Sequence, residues 1–211
     1  MTDQTLTTGR SLSEFTAQLA SAQPAPGGGG AAALAGALAA SLAAMAANVT
    51  AANPRYADRH DALATLAASC DAQRTTLLAL IDADAAGFLP LQRAYAIPKD
   101  DPTRAARLAD AAHTACLAPL AMLEHCEQVA LLLPAALSTA SPLLRSDVGC
   151  AAALCSAAAE AAELNVLVNT GLLAPDDRTA TEAHAARLRA TVVQCCAQTA
   201  DAVRAALRGE G

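Results

Sequence analysis

A chain of 211 residues and 21.1 kDa is long enough to bury a sizeable core in one domain, or at most two small ones. Aromatics make up only 2% of it, tryptophan is absent, and alanine alone supplies well over a quarter. That composition favours helix over strand and excludes β-sandwiches, barrels and Rossmann folds, while a net charge of −6 argues against nucleic acid or an anionic membrane as partner.

Residues 1–10 lack the charged-then-apolar build of a secretory signal, so a cytoplasmic location is expected. Ser11-Leu12-Ser13-Glu14 fits a capping box and predicts a short first helix reaching about Ala22. The run Gln23-Pro24-Ala25-Pro26 followed by Gly27, Gly28, Gly29 and Gly30 breaks it. Those glycines read as a connection, or as backbone N–H groups able to approach a ligand closely just before a helix. The lysine of a P-loop and the strand of a dinucleotide fingerprint are both missing.

An apolar helix is predicted over 31–52, ended by Asn53-Pro54. It passes the length test for a membrane span, but its shortage of large side chains makes a buried central helix the expectation. A long helix over 57–94 follows, with Pro90 bending its last turns, and then a proline-rich loop over 97–102. Helical pattern resumes over 103–137, with Pro119 and Pro134 as kinks or breaks; after a loop at 138–142, helices over 147–173 and 176–207 complete the chain. Without internal repeats or a long linker, residues 1–211 read as a single all-α bundle of about five or six helices, one of them long and kinked. Small side chains bury little area each, so an oligomer is expected.

Seven cysteines occur, with no C-x-x-C pair and no Cys/His cluster at metal-ligand spacing. They read as small core residues, and no metal is expected.

Along the long helix, Leu63, Leu66, Cys70, Arg74, Leu77, Ile81, Asp84 and Phe88 follow one another at steps of three and four and share one face. Arg74 and Asp84 stand where leucine belongs. A carboxylate on such a face is costly unless paired, hydrogen-bonded or used, so Asp84 is half of a buried ion pair, a place where the stripe has drifted to the surface, or a functional group. Asp82 points about 160° away on a regular helix. Asn165 and Asn169, four apart in an apolar stretch, are struts between helices or ligand contacts. Asp147 sits near a helix start, where a carboxylate serves as cap or dipole partner. Lys99, the one lysine in the chain, lies in the proline-rich loop and reads as a solvated charge.

Taken together, Ala25-Pro26-Gly27-Gly28-Gly29, Leu80-Ile81-Asp82-Ala83-Asp84-Ala85 with Phe88, Ile97-Pro98-Lys99, Arg145-Ser146-Asp147 and Asn165-Val166-Leu167-Val168-Asn169 make a familiar order. From about residue 11 to 207 the chain resembles the cyclodeaminase domain of formiminotransferase-cyclodeaminase and the stand-alone bacterial cyclodeaminase/cyclohydrolase proteins. The resemblance implies a helical subunit, a homodimer or larger, and a tetrahydrofolate derivative bound near a subunit interface without a tightly bound cofactor. It further implies closure of 5-formiminotetrahydrofolate to 5,10-methenyltetrahydrofolate with loss of ammonia, as in histidine degradation, or hydrolysis of the methenyl compound. Asp84 falls on the family's proposed acid/base. Gly27, Gly28, Gly29, Asp82, Lys99, Asp147, Asn165 and Asn169 fall on motifs expected to bind substrate. Two departures stand out: Gly30 where the family often has serine, and Thr170 where relatives commonly have leucine.

Overall fold

The computed structural model describes residues 7–209, and among these there are six α-helices and no strand. After a 3₁₀ turn at Thr7–Gly9 come α1 (Leu12–Leu19), α2 (Gly28–Ala51), α3 (His60–Tyr95), α4 (Arg104–Thr139), α5 (Arg145–Thr170) and α6 (Pro175–Arg208). The capping box forms as read from sequence: the Glu14 N–H donates to Ser11 Oγ at 3.3 Å and the Ser11 N–H to Glu14 Oε2 at 2.8 Å. None of the internal prolines ends its helix; α3 runs through Pro90, and α4 through Pro119 and Pro134.

Helix α2 is the axis of the bundle. It packs against α3, α5 and α4, while α6 lies along α5 and α4. Alanine makes this possible, since a methyl side chain lets two helix backbones approach closely on several sides. Ala33, Ala39, Ala40, Ala43 and Ala46 are all fully buried. At Gly36 even a methyl group would be tight, for a Cβ would stand 3.1 Å from Cys126 Sγ and 3.3 Å from both Leu77 methyls. Leucine, valine and methionine fill the remaining space, with Leu63, Leu77, Met122, Leu123, Leu133 and Leu188 the largest buried side chains. Five cysteines (Cys70, Cys116, Cys126, Cys155 and Cys196) are buried as core residues, Cys195 is partly covered and Cys150 is exposed. Three segments, Gly28–Ala51, Arg104–Thr139 and Pro142–Thr170, are long and apolar enough to cross a membrane by length and composition.

The α3–α4 hairpin extends past the main core, and its end has a small core of its own around Leu91, Ala94, Leu108 and Ala112. Thr170 closes that end of α5. Fully buried, it donates at 2.6 Å to Glu182 Oε1, which also accepts from Arg178 Nε at 2.8 Å, so α5 is tied to the start of α6. The resulting recess between the start of α2, the end of α3 and the end of α5 holds the candidate site.

One expectation needs correction. Helix α2 starts at Gly28, three residues earlier than predicted, so three of the four glycines form its first turn.

Candidate active site

The glycines are in the helix because Asp84 is beside it. A Cβ on Gly29 would lie 2.5 Å from Asp84 Cγ, inside any permitted contact, and one on Gly28 would lie 3.1 Å from Asn165 Nδ2. Glycine at 29 lets the first turn of α2 close onto Asp84, and glycine at 28 leaves the Asn165 amide undisplaced. The backbone N–H of Gly30 donates to the Asp84 carboxylate. Burial nonetheless pushes the Asp84 carboxyl above the ordinary aspartate range, and the Gly30 hydrogen bond offsets this only in part.

Asn165 and Asn169 face the same recess from α5. Asn165 Nδ2 donates back to the Ala161 carbonyl at 2.7 Å, and Asn169 Nδ2 to the Asn165 carbonyl at 2.9 Å. Each amide nitrogen is thereby held by its own helix, and each Oδ1 remains as an acceptor for a ligand. Phe88, Leu91 and Tyr95 from α3 and Val168 from α5 form apolar and aromatic walls around a cavity of about 260 Å³. The arrangement combines a carboxyl that holds its proton more tightly than an ordinary aspartate, a helix N-terminus, two amide acceptors and a surface suited to a flat ring.

The ion-pair alternative for Asp84 fails. Arg74 is roughly 15 Å away along α3, ten residues at 1.5 Å each, and its Nε donates to Asp71 Oδ1 at 3.1 Å. The structure gathers Gly27, Gly28, Gly29, Asp84, Asn165 and Asn169 around one cavity. Within one chain Asp82, Lys99 and Asp147 do not line that cavity. Asp82 is on the other side of α3, where Oδ1 accepts the Thr7 N–H at 2.7 Å. Lys99 is exposed in the loop between α3 and α4. Asp147 is in the first turn of α5, roughly 27 Å along that helix from Asn165. Sequence reading missed Leu91 and Tyr95, although the stripe 84, 88, 91, 95 continues the same spacing into them.

Residues 11–190 match the sequence profile of the formiminotransferase-cyclodeaminase family. The chain belongs to that family. A methenyltetrahydrofolate cyclohydrolase of Methylorubrum extorquens is 34% identical over 171 residues, covering 79% of this chain and 81% of the relative. Formimidoyltransferase-cyclodeaminase of Sus scrofa is 33% identical over 165 residues, which cover 75% of this chain but 30% of the longer pig protein. The crystal structure of formiminotetrahydrofolate cyclodeaminase from Thermotoga maritima superposes with a TM-score of 0.83 at 26% identity, covering 95% of this chain and 96% of that one. Membership of the formiminotransferase-cyclodeaminase family thus extends over nearly the whole helical bundle and includes every residue around Asp84. Gly30, where the family often has serine, makes its contact with Asp84 through the backbone, so that contact needs no hydroxyl.

Proposed function

We propose that this protein is a tetrahydrofolate enzyme that closes 5-formiminotetrahydrofolate to 5,10-methenyltetrahydrofolate and releases ammonia, with Asp84 moving the proton. The observation that carries the reading is the Asp84 carboxyl, raised in pKa by burial and aimed into a cavity at a glycine-built helix end.

N10 of the folate attacks the carbon of the protonated formimino group (C=NH2⁺), forming the new C–N bond as the C=N π bond becomes the amine lone pair, and Asp84 in its carboxylate form takes the N10 proton. The same carboxyl, now protonated, delivers that proton to the formimino nitrogen as its bond to carbon breaks. Ammonia leaves and the methenyl bridge remains, so one group serves as base and then acid. A raised pKa suits both halves, because the carboxyl must hold a proton between steps near neutral pH. The Asn165 and Asn169 carbonyl oxygens accept from ring N–H groups, and Phe88 and Tyr95 flank the ring. At about 260 Å³ the cavity fits the reacting bicycle rather than the whole folate, whose tail extends outward.

A second reading is methenyltetrahydrofolate cyclohydrolase, favoured by the Methylorubrum relative, which covers its full partner more completely than the pig enzyme does. There Asp84 would take a proton from water attacking the methenyl carbon and return it to the departing ring nitrogen. Supplying the purified protein with each substrate in turn and following methenyl absorbance separates the two. Appearance of methenyltetrahydrofolate from the formimino substrate supports the cyclodeaminase; its loss beyond the spontaneous rate supports the cyclohydrolase. If neither change occurs, the enzyme reading is abandoned.

A further inference from the structure

A second polar cavity lies at the opposite end of α2, roughly 35 Å from the Gly28 turn at 1.5 Å per residue. Its walls come from the 3₁₀ turn at Pro54–Arg59, the end of α4 and the start of α5, and they enclose about 420 Å³. Arg55, Arg59 and Arg145 line it against a single carboxylate, Asp58. Three arginines against one aspartate give this wall a positive balance in a chain of net charge −6. Arg74, Arg178, Arg187, Arg189 and Arg204 each hold a carboxylate partner, whereas Arg93 and Arg107 at the outer end of the α3–α4 hairpin form no ion pair among the described residues. Here only Arg59 has one, with Asp58 at 3.8 Å, and among the described residues Arg55 and Arg145 form no ion pair.

The cavity is also built rather than incidental. Thr50, fully buried at the end of α2, donates to the Ala46 carbonyl at 2.7 Å and accepts the Ser141 N–H at 2.9 Å, pinning the α4–α5 connection to α2. Asn53 Oδ1 accepts the Arg55 N–H at 3.0 Å and fixes the start of the turn that carries Arg55 and Arg59. The Arg59 guanidinium sits 5.8 Å from the Tyr56 ring centre. Helix α5 begins at the cavity wall with Arg145, and its N-cap Leu144 supplies no side-chain acceptor for the first N–H groups. Asp147 is in that first turn but does not line the cavity.

We propose that this cavity binds a small, multiply charged oxyanion through Arg55, Arg59 and Arg145. Carboxylates and phosphoryl groups share the chemistry, since both accept paired N–H donors from a guanidinium. The cavity is at the far end of α2 from Asp84, so an assay of anion binding and an assay of Asp84 succeed or fail separately.

Calorimetric titration of the full chain with citrate and with inorganic phosphate, at low and at high salt, tests it. Saturable binding that weakens with salt is expected for at least one. Tighter citrate points to a multicarboxylate ligand, tighter phosphate to a phosphorylated one. Arg145→Gln should weaken binding about tenfold, the equivalent of one charge-assisted hydrogen bond, and Lys99→Gln should leave it unchanged. Because Arg145 is partly buried, the exposed Arg55→Gln provides the same test with less demand on folding. The proposal is overturned if neither anion binds saturably, or if binding persists in the Arg55→Gln/Arg145→Gln protein. It is overturned equally if these variants only lower the melting temperature by the same amount with and without anion, which would make the arginines counter-charges for the C-terminal carbonyls of α2.

Discussion

At Asp84, activity and stability are set against each other. The carboxyl is held above its ordinary pKa by burial, so the folded state binds its proton more tightly than the unfolded chain does. Stability from this group is complete at pH below the unfolded value and is lost as pH rises through the folded one. Asp84→Asn, which is neutral at every pH, should therefore melt higher than the parent at neutral pH, and the difference should vanish in acid. Turnover should fall about 10²- to 10⁴-fold with folate binding largely kept. Turnover and melting curves on one sample across pH check both; a variant that melts early and turns over normally removes Asp84 from the mechanism. Gly28→Val makes a complementary case, since its first added carbon meets Asn165 at 3.1 Å. Folate affinity should weaken with the melting point held within a few degrees, as measured by fluorescence titration. Asp84 was legible in the sequence because a charge interrupted an apolar stripe. The positions of Asp82, Lys99 and Asp147 relative to that cavity were not, because motif order along a chain carries no distances, and a rotation of about 160° or a helix length separates them from it within one chain.

Helix limits were readable to within a few residues wherever caps or prolines announced them, as at Ser11-Glu14 and Asn53-Pro54. The start of α2 was not. Glycine is among the poorest helix formers, and nothing local in Gly28-Gly29-Gly30 favours a first turn; the turn forms because α3 and α5 close on it from outside. Of the two readings of Pro119 and Pro134, kinks or breaks, the structure excludes the break, since α4 continues through both, as α3 does through Pro90. Gly36 depends on the same closeness. Gly36→Val would drive methyl groups into Leu77 and Cys126, and about 1–3 kcal/mol of stability should be lost to overpacking, read from urea unfolding. At the α5–α6 junction, Thr170→Val keeps the volume but removes the donor to Glu182. About 1 kcal/mol should be lost, with the largest rise in hydrogen exchange at the end of α5.

Across the whole molecule, the faces of α2 and α5 turned away from the core are as apolar as those turned toward it. Leu38, Met45 and Val49 on α2 and Leu164 and Val168 on α5 are all more than a third exposed, Val168 at 74%. Apolar area of that kind marks an association surface. Sedimentation at micromolar concentration should show a dimer or larger, and Leu38→Glu with Leu164→Glu should yield a smaller species; a monomeric parent would refute the expectation. The distribution of the cysteines has a different use. Cys150 is exposed while five thiols are sealed in the core, and burial pushes Cys70 and Cys116 up to about 11. A thiolate-seeking reagent should thus consume Cys150 at once and then wait for the bundle to open before reaching the buried set. The slow phase counts opening events in native buffer, without denaturant or heat, and ligands at either end of α2 should lengthen it in proportion to how tightly they bind.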